Sequence, residues 1–338
     1  MPTSASLIKS PQRISVAPMM DWTTRDYRYF ARLFNPHVWL YSEMVTTGAI
    51  LYGDKNRHLD FNAFEQPLVL QLGGSNPQDL AICSKIAEDW GYAEVNLNVG
   101  CPSDRVQNNK IGACLMAEPE LVAECIATMQ DAVNIPVTVK HRIGIDDMQS
   151  YEEMLHFVDT VAQTGCTHFI VHARIALLQG LSPKENREIP PLRYDDVYRL
   201  KQERPNLFIE INGGIKTVKD TQQHLQQVNG VMIGREAYHN PYLLAELGKL
   251  YGLSAPDRFE IMQQFLPYIA KRLSEGAPLS FITRHILGLF QGLPGARKWR
   301  QALSGSNAKT LKDVENALAV MQQTLDHFSK QPTTLSAH

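Results

Sequence analysis

A chain of 338 residues is too long for one small core and has room for a large domain followed by a smaller one. With 44% hydrophobic and 20% charged residues it has the composition of an ordinary globular protein, and no apolar run approaches the ~18 residues that span a bilayer. The net charge of −2 does not advertise nucleic-acid binding, yet residues 258–338 carry 10 Lys and Arg against 5 Asp and Glu while the rest carries 23 against 30, which suggests a polyanion partner for the C-terminal part.

The first strand is predicted at Ile14 to Ala17, ending at Pro18-Met19-Met20. Thr24 can cap a helix to Leu33, with Tyr27, Phe30, Ala31 and Phe34 on one face. Strands follow at Val38 to Tyr41 and at Pro67 to Leu72. Pro77 opens a helix to Trp90. The fourth strand begins at Glu94. Further helices are expected from Pro119 to Ala132, Tyr151 to Gln163, Tyr194 to Glu203 and Thr217 to Gln227. Between them lie strands at Pro136 to Lys140, His168 to His172, Leu207 to Ile211 and Gly230 to Ile233. Eight short apolar strands alternating with crossover-length helices predict a (β/α)8 TIM barrel, an α/β fold, over residues 1–250. Residues 42–66 and the run from Ala173 to Pro191 break the rhythm and read as long loops on the C-terminal face. Beyond Leu250 the strands stop. Helical period at Arg258 to Ser274, Phe281 to Leu289 and Leu311 to Phe328 predicts a small all-helical domain over 255–330, with a frayed tail.

Glu94 to Leu115, EVNLNVGCPSDRVQNNKIGACL, is the most informative stretch. Val95, Leu97 and Val99 alternate with Glu94, Asn96 and Asn98, so it begins as a strand. Gly100-Cys101-Pro102 ends that strand. Asp104, Arg105, Gln107, Asn108, Asn109 and Lys110 then follow without apolar period. Cys101 therefore stands on a polar loop just past a strand end, either as an active-site thiol or as a buried free cysteine at a turn. The five cysteines (Cys83, Cys101, Cys114, Cys125, Cys166) form no C-x-x-C pair. This fits a reducing, cytoplasmic setting and argues against disulfides or a structural metal site. The N-terminus lacks the basic-then-apolar order of a secretory signal.

In a barrel the strand ends converge on one mouth. They bring Pro18, Met19 and Met20, Gln71, Asn98 and Cys101, Lys140 with Arg142, His172, Asn212 to Gly214, and Gly234 with Arg235. Glycine turns after the last two strands suit phosphate binding by backbone N–H groups, although Gly213-Gly214 also reads as a simple tight turn. Lys140 is either a Schiff-base nucleophile or a fixed cation opposite a developing anion. His172 either contacts a ligand or lines the core. Gln71 and Asn212 offer amides that can read a heterocycle edge.

The blocks APMMDWTTRDYRYFARL, VLQLGGSNPQDL, VTVKHRIGIDD, HFIVHAR, INGGIK and GVMIGREAYHNP, with the Cys101 stretch, resemble the tRNA-dihydrouridine synthase family, in particular its DusA subgroup. The resemblance spans roughly residues 10–330. It implies an FMN-bearing barrel and a helical tRNA-binding domain that reduce specific D-loop uridines, 20 and 20a, to 5,6-dihydrouridine with NADPH. It implies FMN contacts from Pro18, Met19, Met20, Gln71, Lys140, His172, Asn212, Gly213, Gly214, Gly234 and Arg235. It implies Cys101 as the acid that protonates C5 while hydride reaches C6. An ordinary thiol, with a pKa of about 8.5, is mostly protonated at neutral pH and suits that task. It further implies substrate contacts from Asn98, Arg142, Lys184, Arg187, Arg297 and Arg300. Competing readings are a flavin barrel acting on a free pyrimidine, an RNA-binding factor with idle chemistry, and a class I aldolase acting through Lys140.

Overall fold

The computed structural model describes residues 12–103, 110–305 and 307–329. Asp104, Arg105 and Gln107 to Asn109, expected to extend the Cys101 loop, lie outside these residues, as does the tail from Gln331. The strands are β1 (Arg13–Val16), β2 (Leu40–Thr46), β3 (Leu68–Gly73), β4 (Glu94–Val99), β5 (Val137–Arg142), β6 (His168–His172), β7 (Phe208–Asn212) and β8 (Gly230–Ile233). In chain order the helices are α1 (Arg25–Arg32), α2 (Thr47–Tyr52), α3 (Lys55–Leu59), α4 (Pro77–Trp90), α5 (Pro119–Ala132), α6 (Tyr151–Ala162), α7 (Tyr194–Glu203), α8 (Val218–Leu225), α9 (Arg235–His239), α10 (Tyr242–Gly248), α11 (Arg258–Ser274), α12 (Leu279–Thr283), α13 (Ala296–Leu303) and α14 (Leu311–Ser329).

All eight strands run parallel, in the order β1-β8-β7-β6-β5-β4-β3-β2. A bridge between Ser15 and Trp39, with Val16 N–H to Trp39 O at 2.9 Å and Trp39 N–H to Ile14 O at 2.9 Å, joins the first strand to the second and closes the barrel. This is the predicted TIM barrel. It forms because each strand is too short and too apolar to stand alone, and each crossover helix covers the outer face. Inward-facing Ala17, Tyr41, Val69, Ile170 and Met232 pack as one buried cluster, with Met19 and Trp39 against it.

Contacts divide the chain into two compact units. One comprises residues up to Thr23 and Val38–Gly234; the other comprises Thr24–His37 and everything from Arg235 onward. The division thus falls after Gly234 rather than near 250, and it assigns α1 to the helical unit. Bonds between distant parts of the chain within that unit account for this. Tyr27 donates to the Ala237 carbonyl at 2.8 Å, Asn35 donates to that of Leu244 at 3.1 Å, and Asp26 accepts from Tyr268 at 2.7 Å and Arg272 at 2.8 Å. In the same unit, the helix expected from Phe281 to Leu289 is shorter. It ends at Thr283, and the chain continues in tight turns to Gly288, where a Cβ would stand 2.2 Å from the His239 carbonyl oxygen. That close approach requires glycine. Among the described residues no helix is long and apolar enough to cross a membrane.

Candidate active site

The mouth is built from β4. All six of its residues are buried, including Glu94, Asn96 and Asn98, so its polar face points into the barrel. Buried amides must find partners, and these find one another across strands. Asn98 donates to Gln71 Oε1 at 2.8 Å, Gln71 to Asn96 Oδ1 at 2.8 Å, and Asn96 to Thr138 Oγ1 at 2.9 Å. Thr138 donates to Glu94 at 2.9 Å, and Glu94 pairs with Arg13 at 2.8 Å. The Arg13 guanidinium stacks on Trp39, 3.8 Å from the ring centre. Glu210 completes this charged floor with Ser15, His168 and Arg13. Burial alone would raise its pKa, but the His168 hydrogen bond and the Arg13 charge hold it below the usual carboxylate range.

At the upper end of this chain, Asn98 Oδ1 accepts from the backbone N–H of both Gly100 and Cys101, each at 3.0 Å. The amide of Asn98 therefore folds the strand end back and fixes where the Cys101 loop departs. Cys101 is partly exposed, its sulfur 3.5 Å from Ser103 Oγ, and its carbonyl accepts from Ala113 N–H at 2.9 Å. Among the described residues, Asn98 and Gln71 each keep one side-chain N–H uncommitted.

Lys140 is the register partner of Asn98 on β5. Burial, and after it the charge of Arg142, pull its pKa down from 10.5 to about 8, while Cys101 and Glu210 act in the other direction. Among the described residues Lys140 Nζ has no hydrogen bond or ion pair. His172 is buried, and its pKa is driven well below 6.5 by burial and by the nearby Arg142 and Lys140, so it is neutral at pH 7. Asn212 donates to the Met232 carbonyl at 2.8 Å, which links β7 to β8.

Gly213 and Gly214 have φ of 120° and 71°. A Cβ on Gly213 would lie 2.8 Å from His172 Cδ2, and one on Gly214 would lie 2.6 Å from Leu192 Cδ1. Their N–H groups, and that of Gly234, donate to no described residue. Pro18 and Met19 are half-buried and Met20 is exposed. Arg235 opens α9 and belongs to the helical unit.

Arg142 was expected to touch substrate. It is buried, and its guanidinium is committed at Nε and Nη1 to the carbonyls of Gly100, Ile175 and Asn186, each at 2.9 Å. Lys184 and Arg187 stand exposed on the loop after β6, flanking the buried Asn186. Arg297 and Arg300 lie on α13, a helix the periodicity did not reveal; Arg297 is exposed and Arg300 donates to Gln291 at 3.1 Å. Trp299 and Leu303, buried four residues apart, were the available signal. Sequence reasoning also missed Asn96, Thr138, Glu94, Arg13 and Asn186 as members of the site's support.

The family model for dihydrouridine synthase (Dus) matches residues 15–328. The chain belongs to the dihydrouridine synthase family. Among its relatives, a tRNA-dihydrouridine(20/20a) synthase of Shewanella oneidensis is 59% identical over 89% of this chain and 90% of its own. One of Pseudomonas putida is 58% identical over 93% and 94%, and one of Synechocystis is 58% identical over 87% and 89%. As a dihydrouridine synthase, the chain gives these strand ends a common task, and the aldolase and idle-barrel readings lose their ground.

Proposed function

We propose that this protein reduces the C5=C6 bond of D-loop uridines in tRNA, at positions 20 and 20a, using FMN and NADPH in the cytoplasm. The observation that carries the reading is the placement of Cys101 on a braced loop at the barrel mouth, in electrostatic range of two cations, Lys140 and Arg142. The names of the similar proteins supply the substrate.

The residues present fit a flavin mononucleotide. Lys140 is a half-buried cation with no ion pair among the described residues, which suits the N1/O2 side of an isoalloxazine ring. Gln71 has an N–H uncommitted among the described residues, and neutral His172 and Asn212 line the same mouth. Gly213, Gly214 and Gly234 carry N–H groups that donate to no described residue, at strand ends where side chains on the first two would collide, as a phosphate cradle requires. Pro18, Met19, Met20 and Arg235 complete the set by resemblance. When bound, the flavin, reduced by NADPH, supplies the hydride that reaches uracil C6.

The chain's own residues supply the rest. Cys101 gives its thiol proton to C5, so that the double bond takes up one hydride and one proton. Asn98 holds the Cys101 amide and offers its remaining N–H to the base. Lys140 stabilises negative charge that develops in the mouth. Extruding a uridine from folded tRNA costs a few kcal/mol, and phosphate contacts from Lys184, Arg187, Arg297 and Arg300 offset it.

The test is direct. Purified protein given NADPH and unmodified tRNA should form dihydrouridine, mapped by mass spectrometry to positions 20 and 20a, and should leave free uridine untouched. Equal turnover of free uridine would move the reading to a pyrimidine-reducing barrel.

A further inference from the structure

We propose that Arg142 is a positioning residue that ties the loop bearing Lys184 and Arg187 to the loop bearing Cys101, so that RNA held on the first sets the stance of the thiol on the second. The proposal rests on the uridine-reduction reading for what docks there. Its structural half stands on geometry alone.

One buried guanidinium, carried at the end of β5, joins the loops that follow β4 and β6. Its Nε holds the carbonyl of Gly100, the residue before Cys101. Its Nη1 holds the carbonyls of Ile175 and Asn186, both in the loop after β6. Charged donors to carbonyls are among the stronger hydrogen bonds, and this one is shielded from water. The far end is equally well anchored. Asn186 is fully buried, accepts from Leu177 N–H at 2.8 Å, and donates to the carbonyls of Leu177 at 2.8 Å and Leu181 at 3.2 Å. Lys184 and Arg187 sit two residues before it and one after it, on the turn that Asn186 anchors.

The loops after β5 and β6 are also paired to each other. Ile145 bridges Ala176, Ala176 N–H donates to Gly144 O at 2.9 Å, and Leu178 N–H donates to Asp146 at 2.8 Å. That pairing makes one plate of two loops, and Arg142 Nε is the described side-chain link from this plate to Gly100. Asn98 fixes the Cys101 loop from below, at the barrel interior; Arg142 fixes it from the side, at the rim.

Hydrogen exchange of the flavin-loaded protein without RNA tests the clamp. Arg142→Lys keeps the charge and loses the fork. Exchange should quicken together in peptides covering 99–103 and 175–187, by about tenfold or more, while α5 is unchanged. Asn186→Asp sets a carboxylate oxygen against the Leu177 and Leu181 carbonyls. It should quicken 99–103 as well, although Asn186 makes no described contact with that loop. Turnover tests the coupling. In the native background, Lys184→Ala with Arg187→Ala should lower kcat as well as raise KM for tRNA. In the Arg142→Lys background the same pair should raise KM only. Unchanged exchange at 99–103 in both variants, or the same loss of kcat in both backgrounds, overturns the proposal. Coupled exchange in a protein that forms no dihydrouridine would retain the clamp and discard the functional reading.

Discussion

Lys140 is the residue whose environment makes the sharpest quantitative demand. It is held at a strand end with no described partner, and its pKa falls from 10.5 to about 8 through burial and then the charge of Arg142. A lysine lowered in this way binds its proton less tightly in the folded chain than in the unfolded one. Between about pH 8 and 10.5 the unfolded chain therefore holds the extra proton, and stability rises with pH across that window. Below pH 8 the penalty is fully present; above 10.5 it is gone. At about 1.4 kcal/mol per pH unit, the gap from 10.5 to about 8 amounts to about 3 kcal/mol. Lys140→Met removes the charge and keeps an unbranched apolar stem. The flavin-free variant should therefore be more stable than the flavin-free native protein by up to about 3 kcal/mol near neutral pH, with the difference vanishing toward pH 10.5. Urea unfolding of both proteins from about pH 7 to pH 10, followed by circular dichroism, reads this difference directly. Parallel stability profiles would refute the reasoning, because they would mean that Lys140 is as well solvated in the fold as in the unfolded chain. On the proposed function the same variant should also retain flavin poorly, because Lys140 is there assigned as the cation opposite the ring.

Three further outcomes follow from the geometry. Gly213→Ala adds a Cβ 2.8 Å from His172 in a left-handed conformation, and should cost about 1–3 kcal/mol and lower the flavin-to-protein absorbance ratio. Asn96→Leu strands a Gln71 N–H inside the barrel. It should destabilise by about 1–3 kcal/mol in urea and slow turnover by loosening Asn98. Arg297→Ala and Arg300→Ala should each weaken tRNA binding and reduce the slope of log affinity against log salt by roughly 0.7–0.9, measured by filter binding; an unchanged slope would remove that residue from the phosphate contacts.

The barrel was legible because its signals are local. Most strands are short apolar runs closed by Gly or Pro, and several crossover helices have their own cap, such as Asn76 before Pro77 or Ser150 before Tyr151. Cys101 was legible for the same reason, since Gly100 and Pro102 mark the strand end in the sequence itself. The polar side of β4 was harder. Alternation of Glu94, Asn96 and Asn98 with valine and leucine ordinarily means one wet face, but here that face is the barrel interior. Its partners Gln71, Thr138 and Arg13 are 25 to 81 residues away, and only closure of the barrel brings them together. Arg142 illustrates the same limit. The resemblance implies a substrate contact for it, and nothing in the sequence reveals that three carbonyls converge on it. The place of α1 in the helical unit was likewise invisible, because it depends on Tyr268 and Arg272 meeting Asp26 across more than 240 residues.

The central claim is that the Cys101 thiol delivers a proton to the uridine ring. Single-turnover formation of dihydrouridine on unmodified tRNA, with native protein and Cys101→Ala at equal flavin content, tests it most directly. The account predicts a rate lower by about 10²–10⁴ in the variant, with its yellow colour and tRNA affinity intact. A variant that forms dihydrouridine at the native rate would contradict it.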